Sequence, residues 1–155
     1  MAEPIITFES RAGWYGVKAT EILEVARVEK VRPVPRAPEV VAGVAEIHGR
    51  VITLIDLDRL LAGDLPPTAG SRFGVVLAPP RDHLGILVRS DVDVATSDDV
   101  DAGPESPEAG GLLLNRVTIG DKLLNLLFLP ALVSRVEEAI REALRPGPGG
   151  AGGEA

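Results

Sequence analysis

The stretch that decides the fold reads Gly-Val-Ala-Glu-Ile-His-Gly-Arg-Val-Ile-Thr-Leu-Ile and covers residues 43–55. Two segments rich in apolar residues, 43–47 and 50–55, flank His48-Gly49. Glycine supplies the positive φ angle that a tight turn between strands requires. The stretch therefore predicts a β-hairpin, and a short helix is predicted directly after it, over residues 56–61.

Other short segments carry the same strand signals, namely apolar and β-branched residues bounded by turn-forming residues. Strands are predicted over residues 5–9, 14–18, 25–31, 72–78, 83–88, 112–119 and 122–128, with an edge-like strand at Val92 and Val94. The first two form an N-terminal hairpin. The two strands between residues 72 and 88 form a second hairpin, and the last two meet at Gly120-Asp121. Residues 19–24 are predicted to form a helical turn.

One long helix is predicted over residues 130–145, because proline is tolerated in a first helical turn and apolar residues recur at helical spacing. Its apolar stripe consists of Leu132, Val136, Ile140 and Leu144. The remaining segments predict irregular structure. They are a proline-rich connector over 33–38, a linker over 62–71, an acidic loop over 96–110 and a disordered tail over 146–155.

The composition favours a mainly β protein. Of the 155 residues, 45% are hydrophobic but only 3% are aromatic, so aliphatic side chains must build the core. Seventeen glycines and 13 prolines are too many helix breakers for a helical bundle. The absence of cysteine excludes disulfides, thiolate metal sites and a cysteine nucleophile. With no secretory signal and no apolar run of the ~20 residues that span a bilayer, we expect a cytoplasmic protein without membrane insertion.

The net charge of −7 comes from one segment. Seven acidic residues and no basic residue lie between Asp91 and Glu108, and the rest of the chain is neutral. Such an acidic chain is a poor candidate for nucleic-acid binding, which depends on phosphate neutralisation. The basic stretch formed by Arg27, Lys30, Arg32 and Arg36 is interpreted as a solvated strand face and loop.

The two halves of the chain repeat weakly. Tyr15-Gly16-Val17 recurs as Leu84-Gly85-Ile86 at an offset of 69 residues, and the turn at Gly49 recurs at Gly120 at an offset of 71. This repeat predicts one domain over residues 1–145, built from two small β-barrels at about 15–65 and 70–128, with the N-terminal strand and the helix packed on them.

Several of these segments together resemble one family. Tyr15-Gly16-Val17, Ile22-Leu23-Glu24-Val25, the proline connector and His48-Gly49-Arg50-Val51-Ile52 follow one another at spacings similar to those of the CheW coupling proteins of bacterial chemosensory arrays. The resemblance continues through Leu84-Gly85-Ile86-Leu87-Val88 and Gly120-Asp121-Lys122-Leu123-Leu124. It covers residues 5–144.

The resemblance implies two five-stranded barrels side by side and an adaptor without enzymatic activity or cofactor. Its implied partners are the cytoplasmic tip of a chemoreceptor, a helical hairpin that docks between the barrels, and the regulatory domain of a CheA-type histidine kinase. The positions that correspond to the family's partner contacts are Ile22, Glu24, Gly43, His48, Arg50, Phe73 and Val75.

The chain departs from the family pattern before the central turn. Where the family usually reads Asn-Leu-Arg-Gly, this chain reads Glu46-Ile47-His48-Gly49. A permanently charged guanidinium is thus replaced by an imidazole. In the last hairpin, Leu127 stands where the family usually has an acid; its counterpart in the first half, Asp56, is kept. These departures leave open a divergent paralogue that binds receptors or another partner without the kinase.

Candidate catalytic and metal-binding residues are few. His48 and His83 are interpreted as surface histidines, and Asp56 and Asp58 as a helix N-cap and a solvated neighbour. The acidic loop lacks the spacing of a helix-loop-helix calcium site. A small-ligand or carbohydrate-binding double barrel is the alternative from another class, and the scarcity of aromatic stacking platforms counts against it.

Overall fold

A computed structural model describes residues 3–10, 13–62, 72–88, 90–97, 113–119 and 121–144. Within these residues the chain forms ten strands, one 3-10 turn (Ala19–Glu21) and two α-helices. The strands are β1 (Glu3–Ser10), β2 (Gly13–Lys18), β3 (Ile22–Arg27), β4 (Val41–Ile47), β5 (Arg50–Asp56), β6 (Phe73–Leu77), β7 (Leu84–Val88), β8 (Val92–Ser97), β9 (Leu113–Ile119) and β10 (Lys122–Leu127). The helices are α1 (Leu57–Ala62) and α2 (Leu129–Leu144). The predicted mainly β class with a long C-terminal helix is confirmed.

The strands form two sheets of five. The first sheet has the order β8-β1-β2-β10-β9, and the second has the order β3-β6-β7-β5-β4. Each sheet contains one parallel pair, β2 with β10 and β5 with β7, and all other neighbours are antiparallel. The predicted hairpins are confirmed as β1–β2, β4–β5, β6–β7 and β9–β10.

The predicted strand over 25–31 is wrong in its bounds. The helical turn ends at Glu21, and β3 already begins at Ile22, where it pairs with Leu77. β3 ends at Arg27 because its partner β6 begins at Phe73, opposite Arg27. A single further bond continues the ladder, from the backbone N–H of Val28 to the carbonyl oxygen of Arg72.

The internal repeat is present in the topology. Each of the strands β1 to β5 has a counterpart five strands later, so that β1 corresponds to β6 and β2 to β7. When every strand is exchanged for its counterpart, the strand order of one sheet becomes that of the other. Ile47 pairs with Arg50 and Ile119 pairs with Lys122, so the two hairpins are related by an offset of 72 residues rather than the predicted 71. The two helices that follow, beginning at Leu57 and Leu129, keep the same offset.

The repeats exchange strands. The first sheet takes β1 and β2 from the N-terminal half and β8, β9 and β10 from the C-terminal half, and the second sheet takes the remainder. The sheets are therefore not the consecutive halves 15–65 and 70–128 that the sequence predicted. The parallel pairs cause this difference, since β2 adds to β10 and β7 adds to β5 across the repeat boundary.

The main core contains buried side chains of both sheets and of α2. Its members include Phe8, Tyr15 and Val17 from the first sheet, Ile55, Val75 and Ile86 from the second, and Leu129, Leu132 and Val136 from α2. The predicted helical stripe holds for Leu132 and Val136, and Ile140 packs partly against the same core. Leu144 is 70% exposed, because the last turn of α2 carries it away from the core.

Three predicted segments lie wholly or mostly outside the described residues. They are the linker at 62–71, the acidic loop at 96–110 and the tail at 146–155; Thr96 and Ser97, at the start of the predicted loop, belong to β8. In the part of the chain that the structure describes, no helix has the length and apolar character needed to cross a membrane.

Candidate partner-binding surface

The turn between β4 and β5 presents a histidine to solvent. His48 and Gly49 have φ angles of 52° and 81°, so both residues of this two-residue turn lie in the left-handed region, as in a type I′ turn. A non-glycine residue adopts this conformation less readily. The His48 side chain is 73% exposed.

The imidazole of His48 contacts the carboxylate of Glu24. The distance between His48 Nδ1 and Glu24 Oε1 is 2.7 Å, and the Glu24 side chain is 26% exposed. Glu24 lies on β3 and His48 follows β4, and these are the two end strands of the second sheet. The contact therefore joins opposite ends of the sheet, which curls so that its ends meet. The backbone bridge between Arg32 and Val44 joins the same two sides.

Arg50 also has a partner within the chain. Its Nη2 atom donates to the carbonyl oxygen and to Oδ2 of Asp82, both at 2.8 Å. Asp82 lies in the turn that leads into β7, the parallel neighbour of β5. This ion pair ties the start of β5 to that turn, and 43% of the Arg50 side chain stays exposed.

Ile22 and Phe73 lie at opposite ends of the β3–β6 ladder. Ile22 pairs with Leu77, and Phe73 pairs with Arg27, whose guanidinium carbon lies 5.4 Å from the centre of the phenyl ring. Both apolar side chains are half-buried and pack partly against the main core. The register of this ladder shifts between Ile22 and Glu24, which interrupts the alternation along β3. Of these predicted positions, the structure brings Glu24 and His48 into direct contact.

Gly43 and Val75 do not offer side-chain contacts to a partner. Val75 is 0% exposed in the main core. Gly43 is buried at φ 148°, and a Cβ atom there would clash with the carbonyl oxygen of Arg32. The prediction that these two residues contact a partner stays a prediction, and in this conformation packing within the chain occupies both positions.

Sequence reasoning missed a set of exposed apolar side chains around the turn. Leu23 and Val25, on β3, are 45% and 36% exposed, and Val51, two residues after Gly49, is 68% exposed. The mixed apolar and polar alternation along β3 was the available signal, but it does not reveal which face is solvated. The strands and the turn that carry Glu24, His48 and Arg50 therefore also expose aliphatic side chains.

The aspartate pair is structural rather than reactive. The backbone N–H of Arg59 donates to Asp56 Oδ1 at 3.3 Å, which confirms the predicted N-cap of α1. Asp58 is 8% exposed, so the prediction of a solvated neighbour is wrong. Burial raises the pKa of Tyr15 above its ordinary value, and the negative charge of Asp58 raises it further, while Arg116 opposes the shift.

The described residues do not assemble a metal site. They include no group of three or more histidine, aspartate or glutamate side chains arranged to hold a metal ion. His83 is exposed, and its carbonyl oxygen accepts a bond from the backbone N–H of Thr53, which belongs to the β5–β7 ladder.

Comparisons with known proteins agree on one family. A family model described as the CheW-like domain matches residues 4–137. The chain is 27% identical over 107 residues to a protein of Treponema pallidum (strain Nichols) named chemotaxis protein CheW. That match covers 65% of this chain and 63% of the relative, so the chain spans less than two thirds of the relative's length.

A solved structure has the same architecture. The crystal structure of the scaffolding protein TtCheW from Thermoanaerobacter tengcongensis matches with a TM-score of 0.71 at 19% sequence identity, and the match covers 83% of this chain and 86% of that one. At this level of identity the likeness establishes the fold.

Proposed function

Since this chain belongs to the CheW-like domain family, we propose that it is an adaptor of a bacterial chemosensory pathway that couples chemoreceptor tips to a CheA-type histidine kinase. The observation that carries the proposal is the match of the family model over residues 4–137, which covers the ten strands of both sheets except for Glu3, the first residue of β1. The name of the Treponema pallidum relative, a chemotaxis protein, supports the same pathway.

The proposed contact surface comprises Ile22, Glu24, His48, Arg50 and Phe73. Exposed aliphatic side chains at Leu23, Val25 and Val51 lie on the same strands and turn, and a protein that binds partners presents apolar area of this kind to solvent. Charged side chains beside an apolar patch give orientation and specificity. A receptor tip and a kinase regulatory domain are the proposed partners, and the cytoplasmic side of a receptor array is the proposed location.

The adaptor acts by binding alone in this proposal. The exposed polar groups of the surface contact one another, Glu24 with His48 and Arg50 with Asp82, and neither pair contains a nucleophile with an adjacent base. No cofactor enters the proposal.

A reconstitution experiment tests the proposed function. The purified chain is mixed with a receptor cytoplasmic fragment and with the regulatory domain of the kinase from the same organism, first separately and then together. We expect binding to each and a complex that contains all three. The double variant Leu23→Asp/Val25→Asp should lose at least one partner, whereas Leu144→Asp, an equally apolar exposed position on α2, should not. Binding of the receptor fragment but not of the kinase domain would contradict the coupling role.

A further inference from the structure

A cleft of about 430 Å3 opens beside β4, at one end of the second sheet. One wall is the segment that continues from β3, residues 27–32, and the other is formed by residues 44–46 and Val51. Buried Val28 and Ala45 form its apolar base, and charged side chains form its rim. We call it the β4 cleft.

The rim of the β4 cleft is basic, although the chain is acidic. Arg27, Lys30 and Arg32 line it together with two acids, Glu29 and Glu46, whereas the whole chain has a net charge of −7. Within the described part of the chain, the side chains of Lys30 and Arg32 form no hydrogen bond or ion pair. Both cations are therefore available to an anionic group that enters the cleft.

The backbone of β4 faces the same cleft. The backbone N–H of Val44 donates to the carbonyl oxygen of Arg32, and the N–H of Arg32 donates to the carbonyl oxygen of Val44, both at 2.8 Å. The N–H and the carbonyl group of Val44 therefore point away from β5. Alternate residues of a strand point their backbone groups to the same side, so those of Glu46 also point away from β5 and into the cleft. Among the described residues, no backbone group bonds to Glu46 on that side.

We propose that the β4 cleft binds an extended, acidic peptide segment of a partner protein. The peptide backbone pairs with the free edge of β4 at Glu46, as in recognition by strand addition. Its carboxylates lie next to Lys30 and Arg32, and an apolar side chain of the peptide covers Val51, which is 68% exposed. The proposal does not depend on the adaptor function, because the β4 cleft and the free edge of β4 share only Val51 with the proposed contact surface.

The test uses a fluorescein-labelled peptide of sequence Glu-Val-Glu-Val-Glu and follows its fluorescence anisotropy at low salt, where exposed charges are least screened. We expect saturable binding to the full chain. The same peptide with glutamine in place of glutamate should bind about tenfold more weakly, and so should the glutamate peptide to the double variant Lys30→Glu/Arg32→Glu. Arg141→Glu reverses a single charge on exposed α2, away from the cleft, and should leave the affinity within about twofold.

Two further measurements separate strand addition from charge attraction alone. A peptide with N-methyl groups on the amides that face β4 keeps its charges but cannot pair, and it should bind at least about tenfold more weakly. Glu46→Gln keeps the strand but removes a repelling carboxylate, and it should tighten binding about twofold to fivefold. Glu46→Gln also serves as a control for misfolding, because a variant that failed to fold would not bind the peptide more tightly.

The proposal is overturned if the glutamine and glutamate peptides bind equally, or if Arg141→Glu weakens binding as much as the cleft variant does. It is also overturned if sedimentation without peptide shows a dimer that the variant Lys30→Glu/Arg32→Glu abolishes, since the occupant of the cleft is then a second copy of this chain.

Discussion

His48 Nδ1 lies 2.7 Å from Glu24 Oε1, across the gap between the two end strands of the second sheet. Both residues occupy positions at which the family resemblance implies contacts with a partner protein. In the structure of the chain by itself, these two side chains contact each other. An acidic partner must compete with Glu24 for the imidazole, and a basic partner must compete with His48 for the carboxylate. The contact between Glu24 and His48 therefore influences the electrostatic potential of the proposed contact surface in the unbound chain.

Gly43 is predicted to be far less tolerant of substitution than Gly49. A Cβ atom at Gly43 would clash with the backbone oxygen of Arg32, whereas none of the described atoms lies within 4 Å of a Cβ atom at Gly49. Both have positive φ angles, 148° and 81°, so alanine is strained at each. We expect Gly43→Ala to lower the free energy of unfolding by about 2–4 kcal/mol and Gly49→Ala by about 1 kcal/mol. Urea unfolding measures the free energy of unfolding of the two variants. Equal decreases would show that the backbone near Arg32 makes room for a Cβ atom at Gly43.

The two ends of α2 are predicted to contribute unequally to stability. Leu132 is 0% exposed in the main core, and Leu144 is 70% exposed. We expect Leu132→Ala to cost about 3 kcal/mol of unfolding free energy, because it removes buried methyl groups and leaves a cavity. The matched change Leu144→Ala should stay within about 0.5 kcal/mol. A large loss for Leu144→Ala would mean that another part of the molecule covers the end of the helix.

Tyr15 is predicted to make the fold sensitive to alkali. Its pKa is raised in the folded state, first by burial and then by the charge of Asp58. Between the unfolded value of about 10 and the higher folded value, the folded chain holds a phenolic proton that the unfolded chain releases. The free energy of unfolding therefore falls as the pH rises through that range. The free energy of unfolding of the variant Tyr15→Phe should fall less steeply with rising pH than that of the wild-type chain.

The chain contains a single tyrosine, so the phenolate absorbance follows Tyr15 alone. In the folded protein its titration should lie above that of the urea-unfolded chain. Coincident titrations would contradict the burial of this hydroxyl.

The local elements were predictable from the sequence, because their causes are local. The β4–β5 hairpin follows from His48-Gly49, and α2 from the spacing of its apolar residues. The strand exchange was not predictable, since it depends on the parallel pairs β2–β10 and β5–β7, whose partners are far apart in the chain. A repeat in the sequence indicates that two halves are alike but not which strands they exchange.

The candidate surface was predictable only in part. Resemblance located Glu24 and His48, but their mutual contact depends on the curl of a sheet whose end strands are β3 and β4. It also assigned Val75 to the surface, although the side chain points into the core. Period-two alternation shows that a strand has two faces, and only the packing of the sheets decides which face is buried.

The final prediction concerns the replacement of the family's usual arginine by His48. Histidine side chains gain their charge over the range between about pH 8 and pH 5, whereas arginine is always charged and forms forked bonds with carboxylates. If the proposed contact surface binds an acidic partner, His48→Arg should strengthen binding at pH 7.5 by about 0.5–1 kcal/mol, the scale of an exposed ion pair. The gain should shrink at pH 5.5, because histidine side chains in general carry more positive charge at lower pH.

Glu24 provides the control for this experiment. In the Glu24→Gln background the internal competitor for the cation is gone, so His48→Arg should strengthen binding by more than it does in the wild-type chain. The four proteins are titrated at both pH values against a receptor cytoplasmic fragment and against the kinase regulatory domain. Equal affinities of the histidine and arginine forms at both pH values, with and without Glu24, would show that neither partner contacts residue 48 through an acidic group.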